Sequence, residues 1–386
     1  ARVDGVTALR QAVSPLEPFL YMQAIAERWF TAASLIDDRP VGLTTAAGLY
    51  IPQNYDHHFK GLVSLRTALG SSLNVPAVRT LVVVTPERFA QRLNSLGLGL
   101  KHTGGYYGYS LALGSAEVNL ATLANAYRTL ANGGRASPLR LQPGDPVVPA
   151  RQVLDEAASY IVADILADRE ARVPTFGLDN ALAPRYRAAV KTGTSKDMRD
   201  NWCVGFSRHY TVGVWVGNAS GEAMWSVSGV TGAAPIWRTL MDALQRQGAG
   251  ASMATPVPAG LLQRPVRYAS AIEPPRDEWF IRGTEQTLLT TALGPGGSRP
   301  RITSPANHLL LALDPDIPLQ AQQLGLATDA TAPARWSWRM DGRRLGPARA
   351  MKWPMWPGRH RLDLLDDAGK VRDTVDFEVG GAQVKR

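Results

Sequence analysis

The stretch Val190-Lys191-Thr192-Gly193-Thr194-Ser195 decides how this chain is read. A polar, arginine-rich segment precedes it, and two runs that alternate like strands follow, 202–206 and 210–217. Lys-Thr-Gly-Thr on a strand is a recognition device. The lysine is a fixed cation, the two hydroxyls can hold a carboxylate, and the glycine lets a substrate backbone come close. The same tripeptide is also what a plain strand entering a turn looks like. The context decides between the two.

Upstream, Ser14-Pro15-Leu16-Glu17 looks like a helix start, with serine as N-cap and proline in the first turn. Phe19, Leu20, Ile25 and Trp29 then predict a buried helix running to about Phe30. Ser14 and Glu17 also have the spacing of a capping box, in which each side chain satisfies a backbone N–H of the other. Residues 34–59 read as loop, and Ser64 opens a short helix that ends near Gly70. Ser72-Leu73-Asn74 follows, either as turn chemistry or as a hydroxyl and an amide presented at a cleft edge. Further helices are expected at 86–96, from 115 to a stop at Asn132-Gly133-Gly134, and at 154–166. Downstream of the strands, Pro235-Ile236-Trp237 begins one more. The result is an α/β class, helices around an antiparallel sheet that is expected to be incomplete.

After that helix the texture changes. Residues 248–258 are rich in Gly, Ala, Ser and Pro and read as linker, and 260–298 as irregular. From Arg301 onward, short apolar runs at 309–313, 319–326, 335–340 and 360–365 alternate with turn signals. Asp366-Asp367-Ala368-Gly369 closes a hairpin to 371–379, so the tail reads as a small β-sandwich. The expected division is therefore 1–247, a linker over 248–298, and 299–386.

The chain has 386 residues, 45% of them hydrophobic, which suits two or three globular domains. A formal charge of +9 favours anionic partners, but no zinc finger or aromatic-basic signature points to nucleic acid. One cysteine, Cys203, precludes an intrachain disulfide, and the histidines show no metal-ligand spacing. No apolar run reaches membrane-spanning length. The first residue is not methionine, and the chain reads as a piece of something longer.

Ser14, Ser72-x-Asn74 and Lys191-Thr192-Gly193 occur in the chain order of S-x-x-K, S-x-N and K-T-G, and this triple resembles the signature of penicillin-binding proteins and serine β-lactamases. Ser110-Leu111-Ala112-Leu113-Gly114, Leu130-Ala131-Asn132-Gly133-Gly134, Arg199-Asp200 and Tyr210-Thr211-Val212-Gly213-Val214-Trp215 are similar to the transpeptidase domain of class A peptidoglycan synthases. Ile302-Thr303-Ser304-Pro305 and Trp356-Pro357-Gly358 resemble the immunoglobulin-like C-terminal domain of such proteins.

The resemblance implies serine acyl transfer on peptidoglycan stem peptides, with β-lactams as mimics that acylate the same serine. It implies Ser14 as nucleophile and the N–H groups of Ser14 and Thr194 as oxyanion donors. Lys191 and Ser72 would relay protons, Asn74 would bind the substrate amide, and Thr192 and Thr194 would hold the terminal carboxylate beside Gly193. No cofactor and no nucleic acid is implied. The parent protein would be periplasmic, anchored to the inner membrane, with cell-wall protein partners through the tail.

Three departures stand out. Glu17 occupies the place of the motif lysine, and Ala12-Val13 replaces the usual Pro-Gly. The glycosyltransferase domain, the anchor and the first strands of the sheet fall outside this sequence, so an unpaired edge and self-association are expected. Glu17 is expected to pair with Lys191, which would lower its own pKa, keep both groups charged and impair catalysis. The alternative is a non-catalytic peptidoglycan or β-lactam binding module in which Ser14 and Glu17 only cap a helix. A β-lactamase is the third reading, and the large tail argues against it.

Overall fold

The structure, a computed structural model, describes residues 3–45, 48–56, 58–247, 256–269, 272–289, 302–305, 309–312, 323–328, 333, 335–348 and 351–380. The chain forms two compact units, Ala1–Arg39 with Gln53–Leu289, and Pro40–Pro52 with Thr290–Arg386.

At the centre of the first unit is α1 (Glu17–Ala26). Every residue from Glu17 to Ile25 is buried, because the helix is apolar on all sides and has neighbours all round. It ends four residues short of the predicted Phe30, at Glu27 and a left-handed Arg28 (φ 60°). Strand β1 (Leu35–Asp38), inside the stretch 34–59 read as loop, pairs antiparallel with β2 (Gly61–Ser64) just beyond it. Ser64 then caps α2 (Leu65–Gly70) by accepting the Thr67 N–H at 3.1 Å. Helices α3 (Asn74–Val84) and α4 (Pro86–Ser95) follow. Helix α5 (Leu120–Ala131) is capped by Asn119 at 2.8 Å and stops at the expected glycines, Gly133 and Gly134, both at positive φ. Asp155 caps α6 (Glu156–Ala167).

Strands β3 (Ala189–Thr194), β4 (Asp200–Phe206) and β5 (Thr211–Gly217) form an antiparallel sheet in the order β5-β4-β3. Alternation puts Val190, Thr192, Cys203 and Val214 on one face, where Val190, Cys203 and Val214 pack with Trp237 and Met241 of α7 (Ala234–Gln247). Lys191, Gly193, Trp202 and Gly213 share the other face, against α5 and the segment around Ser14.

Residues 261–289, expected as linker and irregular chain, are instead a sheet within this unit. Strand β6 (Leu261–Tyr268) pairs antiparallel with β7 (Arg276–Ile281) and parallel with β8 (Leu288–Leu289). Val266, Tyr268, Phe280 and Leu289 pack around Ala33. The charge interleaved along these strands hid them: Glu278 is fully buried because Arg66, far away in sequence, binds both its oxygens. The boundary read near residue 247 therefore falls short of this sheet, and 248–255 lie outside the described residues.

The second unit is all-β. Leu309–Ala312, Val371–Gly380, Gly358–Leu365, Ser337–Met340 and Arg343–Pro347 make a five-stranded sheet in that order, and Ile302–Ser304, Gln323–Thr328 and Met351–Pro354 a three-stranded one. Trp338, Trp353, Leu326, Leu362 and Phe377 form one core between them, which makes the unit a sandwich. The hairpin read at 366–369 is present, with Gly369 at φ 75° and the Asp366 N–H donating to the Lys370 carbonyl.

Candidate active site

The segment carrying Ser14 is held on both sides. The Ala12 and Val13 N–H groups donate to the carbonyls of Ala116 and Gly114, each at 2.9 Å. The Trp202 indole N–H donates to the Gln11 carbonyl at 2.9 Å, and the Tyr127 hydroxyl to the Pro15 carbonyl at 2.8 Å. Val13 is at φ 52°, a region that a β-branched residue rarely enters and that costs on the order of 1–3 kcal/mol. Two glycines make the space. A Cβ on Gly114 would land on the Val13 backbone, and one on Gly193 would come within 2.9 Å of Val13 Cγ2. Ser14–Leu16 then form a single 3-10 turn leading into α1.

The capping-box reading is overturned. Val13 and Leu16 occupy the N-cap positions of the turn and of α1, and no side chain caps either. Glu17 is engaged elsewhere: its carboxylate lies 3.1 Å from Lys191 Nζ and accepts from Ser72 Oγ at 3.3 Å. Lys191 Nζ donates to Ser72 Oγ at 2.6 Å. Ser14 lies one turn before Glu17, and its hydroxyl is among the groups that favour the charged form of that carboxyl. Ser72 reaches in from the end of α2, at φ 53°, beside Ser71, whose hydroxyl donates to the Ala171 carbonyl at 2.7 Å. Glu17, Ser72 and Lys191, far apart in sequence, thus meet in one place, one helical turn from Ser14.

Glu17 is 0% exposed and Lys191 3%. The expectation that pairing lowers the Glu17 pKa fails here. Burial raises the Glu17 carboxyl above its ordinary value, against the pull of the Lys191 charge and the hydrogen bonds from Ser14, Lys191 and Ser72. Burial likewise lowers Lys191, against the opposing charge of Glu17. Desolvation outweighs the pair's attraction on both sides, so each group is driven toward its neutral form.

The other expected site residues are nearby in the chain but differently engaged. Asn74, at the start of α3, donates through Nδ2 to the Gln53 carbonyl at 2.8 Å, and its backbone N–H donates to Asn54 Oδ1 at 2.9 Å. Thr192 and Thr194 lie on the sheet face opposite Lys191. Thr194 Oγ1 accepts the Gly229 N–H at 2.9 Å, so its own O–H is left to donate elsewhere. Gly193 sits against Pro15 and Val13, which binds β3 directly to the serine turn. Sequence reasoning missed Tyr127 and Trp202 as holders of that turn. Both are large side chains at helix and strand positions, and both are fully buried. It also missed Asn54, which the Asp38 carboxylate holds at 2.8 Å for its contact with α3. Among the described residues no cluster of His, Cys, Asp or Glu could hold a metal.

A buried lysine–serine–carboxylate contact thus lies beside the Ser14 turn, next to an antiparallel sheet packed between helices. Residues 16–242 match the penicillin binding protein transpeptidase domain, and 291–377 match the Penicillin-Binding Protein C-terminus family. The chain belongs to the penicillin-binding transpeptidase family.

It is 37% identical over 248 residues to penicillin-binding protein 1C of Escherichia coli K12, covering 64% of this chain and 31% of that protein. It is 32% identical over 271 residues to penicillin-binding protein 1A of Neisseria meningitidis serogroup B, covering 64% of this chain and 33% of that protein. The chain thus spans about a third of the length of these relatives. Among solved structures, penicillin-binding protein 1A of Haemophilus influenzae shares the fold with a TM-score of 0.63 at 21% identity, over 73% of this chain and 50% of that one. PonA1 of Mycobacterium tuberculosis in complex with penicillin V gives 0.55 at 22% identity, over 66% and 74%. No helix among the described residues is long and apolar enough to cross a membrane.

Proposed function

We propose that this chain is the acyl-transfer part of a periplasmic peptidoglycan synthase whose parent is anchored to the inner membrane, and that Glu17 makes its serine slow. Ser14 Oγ attacks the carbonyl of a D-Ala-D-Ala stem end, and the departing D-Ala amine takes up a proton through Ser72 and Lys191. The acyl-Ser14 ester is then cleaved by the amine of a neighbouring stem peptide, which returns the hydroxyl. The N–H groups of Ser14 and Thr194 stabilise the oxyanion, Thr192 and Thr194 serve the terminal carboxylate, and Asn74 the substrate amide. A β-lactam enters the same sequence and stops at the ester.

The observation that carries this reading is the buried contact of Lys191 with Ser72 and Glu17 beside Ser14. A lysine on the serine's own helix would serve as base. The carboxyl in its place has its oxygens engaged by Lys191 and Ser72, so it is occupied by those partners rather than free to take the Ser14 proton. Losing a general base costs roughly 10²–10⁴ in rate. The test is the second-order labelling rate with a fluorescent penicillin, with Ser14→Ala as the blank. Wild type should label slowly at Ser14, and Glu17→Lys should label faster by about that factor. Equal rates in wild type and Glu17→Lys defeat the impaired-base reading. Reversible binding without a covalent adduct in either would instead favour a binding module.

A further inference from the structure

Between the paired strands Arg135–Ala136 and Arg151–Gln152 the chain runs out as an arm, residues 137–150. Every residue from 138 to 150 except Asp145 is exposed. Four are large aliphatics: Leu139, Leu141, Val147 and Val148, at 44%, 86%, 75% and 50% exposure. Leaving four such side chains in water within ten residues is unfavourable, and a patch of this kind marks a contact surface.

The arm's shape is built in. The Asp145 carboxylate accepts the N–H groups of Leu141 and Gln142 at 2.7 and 2.9 Å. Arg140 donates to the carbonyls of Pro143 and Asp145 at 2.8 and 3.1 Å. At the root, Arg128 holds Ser137 and Pro138. Prolines 138, 143, 146 and 149 have no N–H to leave unpaired. The turn at 141–145 is thus fixed from within, since the N–H groups of Leu141, Gln142 and Asp145 all have partners inside the arm. Arginines stand at its root, Arg135 and Arg151, and Asp145, already bonded, is the single acid between them.

We infer that this arm seats its aliphatic side chains in the headgroup layer of an anionic phospholipid bilayer, with Arg135 and Arg151 on the lipid phosphates. Aliphatic residues on a projecting, preformed arm with cations behind them have the layout of an interfacial anchor.

The full chain, mixed with vesicles of equimolar phosphatidylglycerol and phosphatidylcholine, should sediment with them, and with phosphatidylcholine alone it should remain largely free. Leu141→Ser with Val147→Ser should weaken binding about tenfold or more while leaving its salt dependence in place. Arg135→Gln with Arg151→Gln should weaken it by a similar factor and flatten the salt dependence. All four positions are exposed, and unchanged thermal melts would show that the variants fold. A wild type that ignores the anionic vesicles overturns the lipid assignment and points to a protein partner. An aliphatic double variant that binds like wild type overturns it too, since general basic charge would then explain the binding.

Discussion

Glu17 and Lys191 face each other at 3.1 Å with almost no access to water, and each is pushed by burial toward its uncharged form. A carboxyl whose folded pKa exceeds its unfolded one binds its proton more tightly in the folded state. Its contribution to stability is full below the ordinary 4.5 and is lost as pH rises to the folded value. The lysine is the mirror case: its contribution is full above the ordinary 10.5 and is lost as pH falls to the folded value. Relative to Glu17→Gln with Lys191→Met, the wild type should be least stable between the two shifted values and gain toward both acid and alkali. Denaturant melts over a pH series measure this. A flat difference curve would mean the pair is as charged in the fold as in water.

Gly193→Ala should push the serine turn away. The new Cβ would overlap Pro15 and approach Val13 Cγ2 at 2.9 Å. Overpacking of this kind costs about 1–3 kcal/mol. Both the melting midpoint and the penicillin labelling rate should fall, and an unchanged melt would show that the strand and the turn can part freely.

Tyr127→Phe removes one hydrogen bond and keeps the ring that packs edge-on to Phe19 at 5.4 Å. The Pro15 carbonyl then loses its buried donor, for about 1–3 kcal/mol. Tyr127 touches no substrate and acts by positioning, so reversible penicillin affinity should hold while the acylation step slows. A loss in affinity alone would argue against that role.

Arg66→Met should be the most damaging of these changes. Arg66 bonds Glu278, Asp164 at 2.7 Å and Asp168 at 3.0 Å, and its removal strips a fully buried carboxylate of its main partner. Breaking one side of a buried pair costs about 3–5 kcal/mol. Urea unfolding should show that loss, and limited proteolysis should open residues 261–289 first. Resistance there would mean that apolar packing around Phe280 and Val266 holds the sheet unaided.

Much of this protein follows from local sequence. Ser64, Asn119 and Asp155 cap helices through their own side chains, Gly133, Gly134 and Gly369 take left-handed turns, and Lys191-Thr192-Gly193 sits on a strand as its alternation requires. These are interactions between near neighbours, so a reader of the chain can see both partners at once. The tertiary structure decided the rest. Ser14-x-x-Glu17 satisfies the spacing of a capping box, yet Glu17 turns to a lysine on a distant strand. Val13 takes a glycine's conformation because Gly114 and Gly193 leave it room. The strands at 261–289 are obscured by their own charges until Arg66 is placed beside Glu278. The direction of the Glu17 shift was least legible of all, since attraction between two charges can be guessed from their signs. The cost of burying them depends on how completely other parts of the chain exclude water, and that exists only in the folded molecule.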